Sequence, residues 1–353
     1  MKKSDRAGYG KSPAFIPIFN KDRQSYAQDL EIIQFIEDKL PSRKAAWLLI
    51  DRFFKYVYPF FPYTNESGFL SKITPIIGAR DDQTTKLKLK VESRIDLIPV
   101  ALFLLVIHLG SITLYDCAEN PVPEVDTDPD VRYLIENPIN NSMIMLARLA
   151  TRPFMSHYGT AYKMFQIYLF LKIADQYSPG QAEQLESQGS YAIVFQTMVK
   201  LALNRDPTRY VDLKEKSKVI NLLRKTWHGV RCDDYFPGFT GDDFFCKLVP
   251  SNTQLPCFIG ESASGVADLE IEKTTISCLL QRTKFHDLYR DLASVAMNLR
   301  GNPYVKDLLE FSTKLEDLVK QELGDIDQLL TLTTPQETFP QRIKKATKNA
   351  SQP

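Results

Sequence analysis

The run Leu97–Tyr115 (LIPVALFLLVIHLGSITLY) constrains the fold more than any other segment, because it is apolar on all sides and nearly long enough to span a bilayer. A helix of that kind has two homes, a membrane or the centre of a large helical protein. His108 and small polar residues interrupt it, Pro99 stands near its start, and Asp96 and Asp116 flank it with no basic loop on one side. The protein interior is therefore the expected home, and no membrane partner is expected. With 353 residues, 44% of them hydrophobic, the chain has the material for a large core around such a helix.

Elsewhere apolar residues recur at helical spacing, and Pro, Gly or Asn end the runs. One helix is expected over Gln28–Leu40, with Leu30, Ile33, Phe35 and Ile36 on its apolar stripe. A second is expected over Ala45–Tyr58, capped by Ser42 and stopped by Pro59, which leaves Phe60–Tyr63 extended. Further helices are expected over Ile139–Ala150, Thr160–Gln176, Ser190–Leu203, Leu213–Cys232, Glu270–Arg300 and Pro303–Leu330. Strand-like alternation is confined to Lys86–Val91 and Lys247–Ile259. The expected fold class is all-α, a large multi-helix domain of packed helical hairpins with little or no sheet. The acidic, proline-containing stretch Glu119–Asp130 reads as a variable surface loop, and the basic tail from Thr333 as disordered.

Charge and motifs exclude more than they assign. Lys and Arg number 44 against 43 Asp and Glu, so the chain lacks the basic excess that phosphate contacts require, and no DNA-binding residue is expected in it. Five cysteines, Cys117, Cys232, Cys246, Cys257 and Cys278, lie far apart without a C-x-x-C pair, which points to a reducing, intracellular setting without a disulfide framework or zinc site. No apolar secretory segment follows Met1. Gly10-Lys11-Ser12 resembles the end of a phosphate loop, but Asp5 stands where the first glycine is needed. His108, His157, His228 and His286 never pair at metal-ligand spacing on one helix. Asp233-Asp234 and Asp242-Asp243 read as helix caps or solvated groups among aromatic core residues. No nucleophile, base and orienting group can be named together, so neither catalysis nor a metal site is expected.

Four segments share an order found elsewhere. The first is Leu40-Pro41-Ser42 followed by Leu48–Phe61, with Arg52-Phe53-Phe54 and Tyr58-Pro59-Phe60-Phe61-Pro62. The second is the apolar run Leu97–Tyr115. The third is Thr160–Tyr177 with Ser190–Leu203, ending in Leu201-Ala202-Leu203-Asn204-Arg205-Asp206-Pro207. The fourth is Arg224-Lys225-Thr226-Trp227-His228-Gly229-Val230, followed by Asp233-Asp234. Together they resemble the middle homology region of fungal zinc-cluster transcription factors. There the third motif reads Leu-Gly-Leu-His-Arg-Asp-Pro, the fourth Arg-Arg-x-Trp-Trp, and a short helix follows the first, here over Ser67–Ile73. Asn204 and His228 depart from that pattern.

The resemblance implies an all-helical regulatory domain over residues 41–300. It is preceded by a linker and short helix at 1–40 and followed by an amphipathic helix and basic tail at 301–353. It implies a nuclear protein that controls a separate activation segment and meets the transcription machinery. Family members carry a six-cysteine cluster holding two zinc ions that contacts DNA, and no cysteine precedes Cys117 here. DNA contact is then expected only through a module missing from this chain or through a partner, and a fragment or incomplete gene reading is preferred to a member that lost its module. Arg52, Tyr58, Pro59, Phe60, Pro62, Arg205, Asp206, Pro207 and Trp227 are expected to build the scaffold, with Arg205-Asp206-Pro207 stopping a helix and allowing an Arg-Asp pair to tie the turn to a neighbour, and Trp227 anchoring the core.

Two alternatives stay open, both acting without a DNA-binding module. One is a small-molecule sensor with an aromatic-lined pocket. The other is an interaction scaffold or homodimer using the stripe Leu308, Phe311, Leu315, Leu318 or Val319, Glu322 or Leu323 and Ile326, although Glu322 interrupts a strict heptad and packing of that stripe back onto the bundle is preferred.

Overall fold

The structure is a computed structural model that describes residues 23–80, 85–115, 120–140, 142–154, 162–177, 194, 196–209, 217–233, 251–257, 266–296 and 305–323. Among these residues the fold is all-α, and the only β-type pairings are isolated bridges between Ser42 and Lys86 and between Tyr115 and Pro121.

At the centre lies α4 (Leu97–Ile112), with Phe103, Leu104, Leu105, Val106 and Ile107 wholly buried. It packs against α2 (Arg43–Arg52), α3 (Glu66–Ile77), α6 (Met143–Thr151) and α7 (Tyr162–Tyr177). Arg94–Ile112 is long and apolar enough to cross a membrane, but helices cover it on several sides, as expected of a core helix. Gly110 is the point of closest approach to α2, since a Cβ there would lie 2.3 Å from the carbonyl oxygen of Leu49. Only glycine lets the two backbones meet at that distance.

The N-terminal elements are set by local rules. Ser42 caps α2 through its hydroxyl, which accepts from the Ala45 amide at 3.2 Å, as its position after Pro41 predicts. α1 (Arg23–Lys39) buries Ile36 and rests Ile32 and Ile33 on the core, but Leu30 and Phe35 are exposed by 41% and 42%. Each lies about 100–120° round the helix from Ile36, so neither belongs to the stripe expected of it. α2 continues into a π-helical turn, Phe53–Val57. Tyr58, although followed by Pro59, stays right-handed helical at φ −54°, ψ −39°, against the expectation that proline forces it out of that region. The widened turn makes this tolerable: the Phe60 and Phe61 amides both reach the Val57 carbonyl, so the chain leaves the helix through a turn at 58–60. It runs on without regular structure from 61, where the Tyr63 amide bonds the Phe61 carbonyl, in place of the extended run expected over Phe60–Tyr63. α3 runs through Pro75 to Ile77, past the end expected at Ile73, and stops at Gly78 with φ 87°.

Segment 85–91 alternates exposed and buried residues, with Leu87 and Leu89 inside, yet forms no sheet. Its amides go to helix ends instead: Leu87 to the Pro41 carbonyl, Leu89 to the Glu37 carboxylate and Lys90 to the Ile76 carbonyl. Period-two burial follows from an extended segment crossing a groove, whatever its hydrogen-bond partner. Residues 251–257, the described part of the other strand candidate, have no regular structure.

The stretch expected to be a free loop is tied down where it is described. Val122 is buried and its amide binds the Leu114 carbonyl, while Asp128 caps α5 (Pro129–Glu136), a helix that the loop expectation overlapped. Asp128-Pro129 is the local signal for that start.

Helical residues 196–200 end in a bend at Ala202, whose φ is +55°. The Leu203 amide reaches back to the Met198 carbonyl and the Ala202 amide to the Val199 carbonyl, the paired bonds of a Schellman ending, in which glycine ordinarily takes the left-handed position. Alanine is strained there. Ala202→Gly is expected to stabilise the protein by about 1 kcal/mol, read as a raised urea midpoint with an unchanged m-value.

The rest comprises α8 (Ser217–Asp233), α9 (Val266–Ala296) and α10 (Val305–Leu323), with α9 packed on α8 and on α10. α10 leans on α9 through the Lys284–Glu322 ion pair and the bond from Gln281 to the Glu322 carbonyl. Phe311, Leu318 and Val319 are half-buried, whereas Leu309 and Leu315 are exposed by 63% and 39%. Ile326 and the tail lie outside the described residues, as do Cys117, His157, Asp234, Asp242, Asp243 and Cys246.

Candidate functional site

Arg224 and Lys225 are neighbours on α8, about 100° apart round its axis, and each reaches a different part of the molecule. Arg224 grips the turn that follows Ala202. Its Nε donates to Asp206 Oδ2 and its Nη2 to Asp206 Oδ1, both at 3.0 Å, with a further bond from Nη2 to Gln254 Oε1 at 2.7 Å. Asp206 also accepts from the amide and hydroxyl of Thr208 and from the Gln254 amide. Burial alone would raise this carboxyl's pKa, but the bonds from Arg224, Thr208 and Gln254 outweigh it and hold the group well below the usual carboxylate range. With both oxygens saturated and their proton affinity so low, Asp206 binds segments together and is unfit to serve as a general base.

The Arg-Asp pair that ties this turn to a neighbour is Arg224–Asp206. Arg205 is exposed, because the turn that buries Asp206 and Pro207 sends the preceding side chain to solvent. Arg224 stood in the fourth motif, but nothing in the sequence alone places its fork opposite Asp206.

Lys225 turns to the other side. Its ammonium lies 2.8 and 3.0 Å from the two carboxylate oxygens of Glu272 on α9, and donates to the Tyr58 hydroxyl at 2.7 Å. Tyr58 in turn donates to Glu272 Oε2 at 3.1 Å, and Asn221 completes the cluster through Glu272 Oε1. Burial lowers the Lys225 pKa while Glu272 opposes the shift, and burial together with Glu272 drives that of Tyr58 well up. The Tyr-Pro-Phe-Phe-Pro segment, the α8 motif and α9 thus meet at one charged cluster, and Glu272 is a member that carried no motif signal.

The other motif residues frame this junction. Arg52 closes the end of α4, with Nη2 on the Thr113 carbonyl at 2.8 Å and Nε on its hydroxyl at 3.0 Å, and pairs with Glu124. Pro59 and Pro62 are buried beside half-buried Phe60, whose carbonyl accepts from Arg282 of α9. Tyr63 is wholly buried; its carbonyl accepts from Gln166, and its ring covers Gly229 so closely that a Cβ there would lie 2.7 Å from Cε1. Trp227 is 1% exposed, a core anchor as expected. His228 contacts the Gln254 carbonyl through Nε2 at 3.1 Å, so the imidazole that replaces a tryptophan of the resembled pattern serves the same 251–257 segment as Arg224. Among the described residues no cluster of three His, Cys, Asp or Glu side chains is placed to hold a metal ion.

Burial depresses the pKa of both His108 and His228 to about 4, below the ordinary 6.5. Each is neutral in the folded chain, while the unfolded chain binds protons below pH 6.5. The stability they contribute is complete above that pH and is lost as pH falls towards 4, by about 3 kcal/mol each at 1.36 kcal/mol per pH unit. Denaturation at constant ionic strength between pH 7 and pH 4 is expected to show this fall, and replacing His108 by glutamine to flatten it by about half.

The chain is similar to two curated proteins of Candida albicans. It is 26% identical over 322 residues to multidrug resistance regulator 1, across 86% of this chain and 28% of that protein. It is 26% identical over 297 residues to multidrug resistance regulator 2, across 82% of this chain and 37% of that protein. No family model matches the chain, and no solved structure matches it. The likeness therefore extends over more than four-fifths of this chain but only about a third of each regulator's length.

Proposed function

We propose that this chain is the helical regulatory part of a fungal zinc-cluster transcription factor, acting in the nucleus on transcription by RNA polymerase II. The observation that carries the reading is the meeting of the motif segments: Tyr58, Asp206 and the Arg224-Lys225 pair, far apart in sequence, close on one junction. A scaffold motif should do this, and a set of chance matches should not. The likeness to two regulators named for multidrug resistance supports it. In this reading DNA contact and two zinc ions belong to a six-cysteine module that this chain does not supply, its five cysteines being dispersed. The chain's own role is to bias a separate activation segment and the partners that segment recruits.

The test is a fusion in which the chain sits between a heterologous DNA-binding module and an acidic activation segment in a yeast reporter strain. The expected result is reporter output changed about fivefold or more in either direction relative to the fusion lacking the chain. Equal output at equal nuclear protein level overturns the proposal.

A second reading, a small-molecule sensor, rests on the 21 Phe and 16 Tyr, which could line an apolar pocket. It predicts that hydrophobic drug-like compounds raise the melting temperature of the isolated chain in a saturable way; a panel without any such shift counts against it.

A further inference from the structure

We propose that α9 and α10 form a releasable arm, held to the body of the protein chiefly by buried and half-buried charges, whose opening uncovers an apolar face on α8 and α9. The inference concerns the fold and stands apart from the transcriptional reading.

The arm's apolar residues are segregated. Ile276, Cys278 and Leu279 of α9, together with Ile220 and Cys232 of α8, are buried but lie outside the main core cluster that surrounds α4. Among the described residues of α9, half-buried Ile271 is the apolar side chain that rests on that core. Beyond this small apolar contact with α8, the specific links across the boundary are polar. Glu272 binds Lys225 and Tyr58, Arg282 donates to the Phe60 carbonyl at 2.5 Å and its guanidinium lies over the Phe61 ring, and Asp287 pairs with Arg231. Glu272 and Asp287 retain 25% and 43% side-chain exposure, so water reaches the clasp from its rim. Partners that keep some exposure, as Glu272 and Asp287 do, can take water in place of their protein contacts on opening, whereas the apolar core around α4 has no such alternative. A segment with few core contacts and many solvent-reachable polar bonds is the part of a fold that opens first.

The buried thiols supply a native reporter. Cys232 lies at the α8–α9 interface, within 3.7 Å of the Thr283 hydroxyl, Cys278 is buried on α9, and Cys257 is exposed. The experiment follows alkylation of each cysteine by mass spectrometry in the wild-type chain, beside hydrogen exchange of α4 and α9 amides. Cys257 is expected to react at once. Cys232 and Cys278 should react through an opening that leaves the α4 amides protected. Raising salt to about 1 M, where the Debye length is about 3 Å, should speed their labelling several-fold. Glu272→Gln, which keeps the shape and removes the charge, should speed it about tenfold or more without loosening α4.

Labelling of Cys232 and Cys278 only in step with exchange of α4 would overturn the proposal, since α9 would then be part of one cooperative core. Labelling separate from α4 but indifferent to both salt and Glu272→Gln would overturn it as well, since the hold would then be apolar. Because the wild-type readout needs no variant, a misfolded Glu272→Gln chain does not remove the test. A failed reporter fusion leaves these outcomes unchanged.

Discussion

Replacing Arg224 by alanine is expected to lower stability by about 3–5 kcal/mol, because it leaves the Asp206 carboxylate buried without its counter-charge. That is a large share of the roughly 5–15 kcal/mol by which a protein of this kind holds its fold. Two comparisons separate charge from packing. Arg224→Lys keeps the charge but loses the two-pronged fit to Asp206 and the bond to Gln254, so it should recover only part of the loss. Arg224→Met with Asp206→Leu removes both charges, and its cost should fall below the sum of the two single changes, the signature of direct coupling in a double-mutant cycle. Urea denaturation of the wild type, the four single-change proteins and the double variant measures all of this, and a coupling below about 0.5 kcal/mol would mean that the pair is not formed. Below about pH 4 the same pair adds a further loss: Asp206 has a depressed pKa, so its stabilisation is complete above the ordinary carboxylate value of 3.8 and disappears as pH falls below it. The histidine-linked loss comes first on acidification, between pH 6.5 and 4.

The second large effect is expected at Gly110. A Cβ there would meet the Leu49 carbonyl oxygen at 2.3 Å, and the obstructing atom is backbone in the middle of α2. No rotamer change can relieve the clash; α2 and α4 must separate along their contact, which disturbs packing at the centre of the core. Gly110→Val should therefore cost more than about 3 kcal/mol, at or beyond the upper end for overpacked sites, and Gly110→Ala somewhat less. Gly229→Ala provides the contrast. Its nearest obstacle is the Tyr63 ring, at 2.7 Å, and a ring edge can yield a little where a carbonyl in a helix cannot. Thermal unfolding of the three variants should rank Gly110→Val as least stable, and the reverse order of the two sites would contradict the close α2–α4 crossing.

The contrast between these sites shows how far the chain's own pattern reaches. Ser42 after Pro41 marks a helix start because the cap needs only the next three residues. The same locality made the apolar run at Leu97 legible as a core helix, since a helix without a polar face must be covered on all sides. Proline after Tyr58 does not act as its local preference predicts, because that preference is outweighed by a π-helical turn that depends on what Phe53, Phe54 and Val57 bury. Ala202 was inconspicuous in sequence and strained in the fold, at a position where the resembled pattern has glycine.

At the junction the division is sharper. Tyr58, Asp206 and Trp227 are singled out by the order of motifs in the chain, and an Arg-Asp tie is to be expected at the turn, yet nothing local says that its arginine is Arg224 of a later helix. Glu272, which joins Tyr58 and Lys225, belongs to no motif and sits on a helix whose period gives no hint of a paired, half-buried carboxylate. The sequence by itself determined which segments are helical, where several of them begin and end, and that one of them must be central. Those properties depend on residues within a turn or two of each other. The tertiary structure alone decided which charge meets which, where backbones cross at a glycine and which helices share a core, because each depends on groups that become neighbours only when distant segments have packed.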